Sequence, residues 1–164
     1  MPGTSPTVAY VGLGSNLDDP IAQVRSALRE LASLPQTQLA HASALYRSPP
    51  LGPANQPDYI NAVAELHTTL SPVALLEALQ NIEQAHGRDR HGEHWGPRTL
   101  DLDVLLYGQT ILDGPRLRVP HPGLAARAFV LIPLAEIAPA LQVPAHGPLS
   151  GLLAGLDAAG TERL

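Results

Sequence analysis

The residues with the clearest chemical content are Asp101 and Asp103, inside Trp95-Gly96-Pro97-Arg98-Thr99-Leu100-Asp101-Leu102-Asp103-Val104. Thr99 to Tyr107 is β-branched and apolar, holds no Gly or Pro, and has turn signals at both ends, which predicts a strand. Side chains alternate along a strand, so both carboxylates point the same way, their Cα atoms about 6.6 Å apart. Leu102, Val104 and Leu106 are expected on the opposite, core-facing side. Two adjacent carboxylates repel unless cations lie between them. Arg98 stands just upstream with Arg88 and Arg90 before it, and Arg116, Arg118 and Arg127 follow. A carboxylate pair facing an arginine cluster points to magnesium and polyphosphate. As a bare pair, Asp-x-Asp is equally compatible with a strand whose polar face is solvated.

Composition narrows the chemistry further. The chain has 164 residues, 45% of them hydrophobic, which predicts one domain with a substantial core. A net charge of −5 argues against a nucleic-acid coat. No apolar run reaches membrane-spanning length, and no basic region followed by an apolar stretch marks a secretory signal. Cysteine is absent, which removes disulfides, thiol catalysis and cysteine-ligated metal, and fits a reducing compartment. All ten basic residues are arginine, so no P-loop lysine and no Schiff-base lysine is present. Six of the ten lie between residues 88 and 127. A local basic cluster on an acidic chain suggests a small anionic ligand.

The elements that must position these groups follow in order. Residues 1–6 are expected to form a disordered leader. Thr7 to Leu13 predicts a strand, and Gly12-Leu13-Gly14-Ser15-Asn16 a turn after it. Leu17 stands where a dinucleotide fingerprint needs its third glycine. Asp18 or Asp19 with Pro20 opens a helix whose apolar stripe runs from Ile21 to Leu34. Leu39 to Arg47 predicts a second strand, followed by a loop with four prolines between Pro49 and Pro57. In the strand from Tyr59 to His67, Tyr59 and Asn61 share a side, an aromatic face beside an amide suited to a flat heterocycle. Ser71-Pro72 opens a second helix with a buried stripe of Leu75, Leu76, Leu79 and Ile82, and with Gln80 and Glu83 on a solvated face. Residues 88–98 mix charges, an aromatic and two glycines without an apolar stripe, so a mobile segment is expected there. Its His91-Gly92-Glu93-His94 lacks zinc-helix spacing. Arg116 to Val119 predicts a short edge strand, residues 124–128 a helical turn, Phe129 to Leu134 the last core strand, and residues 149–156 a short helix. This order predicts an α+β fold, an antiparallel sheet with helices on one face and substrate loops on the other.

Five stretches, in this order, resemble the 6-hydroxymethyl-7,8-dihydropterin pyrophosphokinase family of folate biosynthesis. They are Val11-Gly12-Leu13-Gly14-Ser15-Asn16-Leu17, Ser48-Pro49-Pro50-Leu51-Gly52, Gln56-Pro57-Asp58-Tyr59-Ile60-Asn61-Ala62, the long motif from Trp95 to Asp103, and Val119-Pro120-His121. The resemblance covers roughly residues 7–145. The resemblance implies a ferredoxin-like sandwich formed as a single domain over residues 1–164. It also implies transfer of the terminal pyrophosphoryl group of ATP to the pterin hydroxymethyl group, leaving AMP. Asp101 and Asp103 would hold two Mg²⁺ ions, and with Arg88 and Arg98 they would form the catalytic set. Tyr59 and Phe129 would sandwich the pterin, which Asn61, Ser48, Pro49, Leu51 and Trp95 would also contact. For ATP the resemblance implies Arg88, Arg90, Trp95 and Arg98 from the mobile segment, and His121 and Arg127 at the phosphates. Gln80, Glu83, Arg116 and the backbone of Val104 would serve the nucleotide. The expected partners are the two small substrates, with no nucleic acid and no membrane, and the expected form is a cytoplasmic monomer.

Two positions depart from the family pattern. Pro122 follows His121 where many relatives carry an aromatic, and Arg118 stands where a small hydroxyl residue is frequent. Two other readings compete with the kinase. A catalytically inactive pterin- or nucleotide-binding protein sits poorly with intact Asp101, Asp103, Arg98 and His121. A two-metal phosphohydrolase would need an open water site in place of a pterin pocket.

Overall fold

The computed structural model describes residues 5–50, 56–87, 99–157 and 160–164. Strand β1 spans Thr7–Ser15, longer than the sequence predicts, and Gly12 and Gly14 lie inside it rather than in a turn. Helix α1, Pro20–Ala32, is capped by Asp19, whose side chain accepts from the Ala22 N–H. It buries Val24, Ala27 and Leu31. The expected single strand from Leu39 to Arg47 is two strands, β2 (Thr37–Ala42) and β3 (Tyr46–Ser48). The break has a side-chain cause. Ser43 exchanges bonds with Val63, its N–H donating to the Val63 carbonyl and its Oγ accepting from the Val63 N–H. The Ala44 N–H donates instead to the Glu136 carboxylate.

Strand β4, Tyr59–Thr68, and helix α2, Pro72–Ala85, follow. Ser71 Oγ accepts from the Ala74 N–H at 3.1 Å, and Pro72 occupies the first turn where its missing N–H costs nothing. Strand β5 is Asp101–Tyr107. A short hairpin comes next, β6 (Leu112–Asp113) paired with β7 (Arg118–Val119), and then a 3₁₀ turn at Leu124–Ala126.

The apolar run that predicts a last core strand, Phe129 to Leu134, is instead part of helix α3, Ala128–Ile137. Short apolar runs do not reveal their period when every side is buried. Here Val130, Leu131, Pro133 and Leu134 are all buried, so tertiary packing overrides the β-branched composition. The chain closes with β8 (Gln142–Val143), β9 (Gly147–Pro148), α4 (Leu149–Ala154) and β10 (Glu162–Arg163).

The main sheet is antiparallel in the order β10-β3-β4-β1-β5, with β2 also paired to β4. One face, built from Val11, Leu13, Ala62, Ala64, Leu102 and Val104 among others, packs on Val24, Leu31, Leu75 and Leu79 of α1 and α2. Helices are not confined to that face. Tyr10, Val63, Leu105 and Leu106 on the other side pack against Val130, Leu131 and Leu134 of α3 and Leu149 of α4. Leu106 therefore does not share a face with Leu102 and Val104. The register slips between Tyr10 and Val11, which pair with Leu106 and Val104, so Leu105 is an extra residue and the alternation changes there. Glu136 of α3 fastens this layer to the sheet, because Tyr46 also donates its hydroxyl proton to it at 2.6 Å. Burial and that carboxylate push the Tyr46 pKa up to about 12, so the phenol remains a donor.

Candidate active site

The Asp101–Gly14–Asn61 end of β5, β1 and β4 lies beyond Tyr10, Val63 and Leu105, the residues of these strands on which α3 and α4 pack. Asp101 lies opposite Gly14, and Gly14 lies opposite Asn61. One step along, Asp103 lies opposite Gly12, and Gly12 opposite Val63. The two carboxylates thus face two strand positions that carry no side chain. Neither glycine is in the left-handed region, so backbone conformation does not demand glycine there. A glycine inside a strand marks a close approach by another group. A Cβ on Gly14 would stand 3.4 Å from Asn61 Oδ1 and 3.6 Å from Tyr59 Cδ1. The amide and the ring therefore border the bare backbone. Two strand spacings, roughly 10 Å, separate Asp101 from Asn61 across it.

Asn61 is 4% exposed, and its Nδ2 donates to Ser48 Oγ at 2.6 Å. That bond fixes which way the amide faces and ties β4 to β3. Asn16, 1% exposed, donates to the Pro57 carbonyl at 3.1 Å and to Gln56 Oε1 at 3.3 Å, anchoring the segment that leads into Tyr59. Turn chemistry alone does not reveal this role of residues 12–16. The sequence signal for it is two glycines spaced by two in an otherwise apolar strand.

On the outer side of β5 a cleft of roughly 670 Å³ opens, lined by Leu76, Asp103, Val104, Arg116, Arg118 and His121 among others. The β6–β7 hairpin forms its far wall. Arg116 reaches Glu77 of α2 at 3.4 Å, and Arg118 pairs with Asp113 at 2.7 Å. All four side chains are more than half exposed, so these pairs contribute little stability and their arginines can exchange partners with an incoming anion.

His121 stands between the cleft and the carboxylates. Its N–H donates to the Leu105 carbonyl at 2.9 Å, and its Nδ1 accepts from the Gly123 N–H at 3.0 Å. The proton of the neutral ring is therefore on Nε2, which lies 3.9 Å from Asp103 Oδ1. Burial pushes the His121 pKa below its ordinary value, Asp103 opposes the shift, and Arg127 reinforces it. Because the folded pKa lies below the unfolded one, the unfolded chain takes up a proton first. Stability should then fall as pH drops from about 7 through the ordinary histidine value near 6.5. His121→Asn keeps an acceptor near the Nδ1 position and removes the titration. Its urea midpoint should fall less between pH 7.5 and 5.5 than the parent's; equal slopes would contradict the assignment.

The other expected residues fall in several places. Asp103, Val104, Arg116 and His121 meet at the cleft, while Ser48, Tyr59 and Asn61 meet on the Gly14 side. Phe129 lies in the first turn of α3, with the Arg127 guanidinium over its ring at 5.8 Å. Glu83 is not on a solvated face. It is 2% exposed, and its Oε2 accepts from the Leu102 N–H at 2.8 Å on the edge of β5. Gln80 lies half-buried on α2 and Pro49 is exposed beside Ser48. Leu51, Arg88, Arg90, Trp95 and Arg98, and with them the expected mobile segment, lie outside the described residues, as does the leader through residue 4.

Residues 10–139 match the model of the 7,8-dihydro-6-hydroxymethylpterin-pyrophosphokinase family. The chain belongs to this family. A 2-amino-4-hydroxy-6-hydroxymethyldihydropteridine pyrophosphokinase of Pseudomonas aeruginosa is 54% identical over 155 residues, covering 94% of this chain and 95% of that protein. The enzyme of the same name from Haemophilus influenzae is 51% identical, covering 83% of this chain and 84% of its own. Among solved structures, Plasmodium falciparum HPPK-DHPS superposes with a TM-score of 0.77 at 12% identity, which speaks to the fold alone. The match covers 99% of this chain and 49% of that one, so the chain spans about half of that longer protein. Within the pyrophosphokinase family match lie the glycine-bearing end of β1, the Asn61 strand, the carboxylate strand and His121.

Proposed function

We propose that the family's reaction runs across Gly14, from the cleft beside β5 to the Tyr59–Asn61 end of β4. As a pyrophosphokinase of this family, the chain transfers pyrophosphate from ATP to the hydroxymethyl group of 6-hydroxymethyl-7,8-dihydropterin in folate biosynthesis, giving the pterin diphosphate and AMP. The observation that carries the proposed geometry is the register. It sets the two carboxylates opposite two glycines, with a buried amide on the far side of Gly14.

The donor set fits Mg²⁺. Asp101 and Asp103 are half-buried hard oxygen donors on one face of β5. Among the described residues no group of three or more His, Cys, Asp and Glu side chains could hold a metal. Phosphate oxygens and water would complete the shell, as Mg²⁺ prefers at nucleotide sites. Held by Asp101 and Asp103, one or two such ions would neutralise phosphate charge and favour ionisation of the pterin hydroxyl.

The chain's own groups supply the positioning. Leu102 turns its N–H outward to Glu83, so the Val104 backbone, two residues on, faces the same edge and offers the cleft a donor and an acceptor for the adenine. Arg116 walls the nucleotide side, and Gln80 on α2 serves it. The Nε2 proton of His121 is aimed where phosphate oxygens would lie beside Asp103, and Arg127 adds charge there. Tyr59 and Phe129 provide ring faces for the pterin, and Asn61, with Ser48 and Pro49 beside it, reads its polar edge. Arg88, Arg90, Trp95 and Arg98 are assigned by sequence to cover the phosphates, with Arg88 and Arg98 in the catalytic set, and Leu51 and Trp95 are assigned to the pterin. The hydroxyl oxygen attacks the β-phosphorus, the bond from that phosphorus to the α,β-bridging oxygen breaks, and AMP leaves. Excluding water makes the pterin the acceptor.

The sheet order β2-β4-β1-β5, with α1 and α2 on one face, supports a ferredoxin-like core within one pyrophosphokinase domain. The absence of cysteine fits a reducing compartment such as the cytoplasm, the net charge of −5 argues against a nucleic-acid partner, and the form proposed is a monomer that takes two small substrates. Among the described residues no helix is long and apolar enough to cross a membrane. The test is AMP formation from ATP and Mg²⁺, with and without the pterin. AMP only with pterin supports the reading. Phosphate release without pterin would favour a hydrolase, and binding of both without turnover an inactive module.

A further inference from the structure

We propose that β10, with Gly160 before it and Leu164 after it, is a positioning element for the pterin-side wall of the site. The proposal rests on the assignment of Ser48, Pro49 and Asn61 to that wall.

Strand β3 is only three residues long, and Ser48 at its end receives the Asn61 amide. On one side β3 pairs with β4, Tyr46 opposite Asn61 and Ser48 opposite Tyr59. On the other side it pairs with β10, Arg47 opposite Glu162 and Tyr46 opposite Arg163. The Leu164 N–H donates to the Leu45 carbonyl at 2.9 Å. Opposed residues in an antiparallel pair alternate between bonded and non-bonded, so Glu162 and Arg47, two along, form the next bonded pair. The backbone groups of Arg47, which join Tyr46 to Ser48, therefore have β10 as their strand partner. Without it they would form an open sheet edge immediately before the wall.

A second contact leads to the same place. Gly160 has φ +91°, and a Cβ there would lie 3.3 Å from Pro49 Cδ and 3.4 Å from its Cγ. The chain passes Pro49 closely in a conformation suited to glycine before entering β10. Glu136 fixes the other end of the segment through Ala44 and Tyr46. The wall is thus held at its root by α3, at Asn61 by β4, and along its outer edge by residues 160–164.

The test is calorimetric binding of 6-hydroxymethyl-7,8-dihydropterin and, separately, of a non-hydrolysable ATP analogue with Mg²⁺. Four variants are compared: deletion of residues 160–164, Glu162→Pro, Glu162→Ala and Asn61→Ala. The deletion should weaken pterin binding at least fivefold and leave the nucleotide within twofold. Glu162→Pro, which removes one N–H in the full chain, should weaken pterin binding at least threefold and decides the matter if the deletion does not fold. Glu162→Ala keeps that N–H and should match the parent. Pterin affinity within twofold of the parent in the deletion or Glu162→Pro, while Asn61→Ala lowers it tenfold, overturns the role of β10 alone. Equal loss of nucleotide and pterin binding also overturns it. If Asn61→Ala leaves pterin binding unchanged, the assignment of the wall fails first and this proposal with it.

Discussion

Asp103→Ala is expected to lower turnover by several orders of magnitude and to weaken Mg-ATP binding, while the protein unfolds at nearly the parent's urea midpoint. The two halves of that result have separate causes. Asp103 lies opposite Gly12, over which Leu105 packs, and its own side chain is 49% exposed on the open cleft. Truncating it leaves no buried cavity, so little stability should be lost. The same truncation removes half of the carboxylate pair and the group facing His121 Nε2. In an electrostatically dominated phosphoryl transfer, loss of metal-held charge acts directly on the barrier. Asp101→Ala should behave alike, and Asp103→Asn should recover little because the shape returns without the charge. A loss of less than about tenfold, worth ~1.4 kcal/mol of barrier, would remove the metal assignment.

Asn61→Ala should act on the other substrate. The side chain is buried, donates to Ser48 Oγ and presents Oδ1 beside Gly14. Its loss removes the polar contact proposed for the heterocycle and frees Ser48 to turn away. Pterin affinity should fall roughly 10- to 100-fold, equivalent to ~1.4–2.8 kcal/mol. The ATP-analogue affinity should stay within about twofold, because the cleft proposed for the nucleotide lies beside β5, two strands from β4. The change should appear mainly in the pterin KM, with turnover at saturation less affected. An unchanged pterin affinity, or an equal fall for both ligands, would contradict the assignment of Asn61.

Much of this architecture is legible in local chemistry. Asp19 with Pro20 and Ser71 with Pro72 announce helix starts, because caps and first-turn prolines act within a few residues. Alternation alone puts Asp101 with Asp103, and Tyr59 with Asn61. What stays hidden depends on partners distant in sequence. Nothing near Ala44 reveals that Glu136 will take its N–H and split one strand into two. Nothing near Glu83 reveals that its carboxylate will be buried against the Leu102 N–H. Phe129 to Leu134 carries strand-like residues, yet packing against Tyr10, Val63 and Leu105 selects a helix. The extra residue at Leu105 shifts Leu106 to the opposite face from the one alternation assigns it. The two glycines between the carboxylates and the amide stand plainly in the sequence, but their meaning requires the strand register.

That register underlies the proposal that the carboxylates assigned to metal and the amide assigned to the pterin belong to a single site, with Gly14 of β1 between Asp101 and Asn61. The most direct measurement is paramagnetic broadening of the pterin proton signals by Mn²⁺ in place of Mg²⁺, with a non-hydrolysable ATP analogue present. Asp101 and Asn61 sit about 10 Å apart by strand spacing, so the pterin protons should broaden strongly in the ternary complex and recover in Asp103→Ala. Sharp pterin signals from a complex that calorimetry shows to hold both ligands would place metal and pterin in different sites and contradict the account.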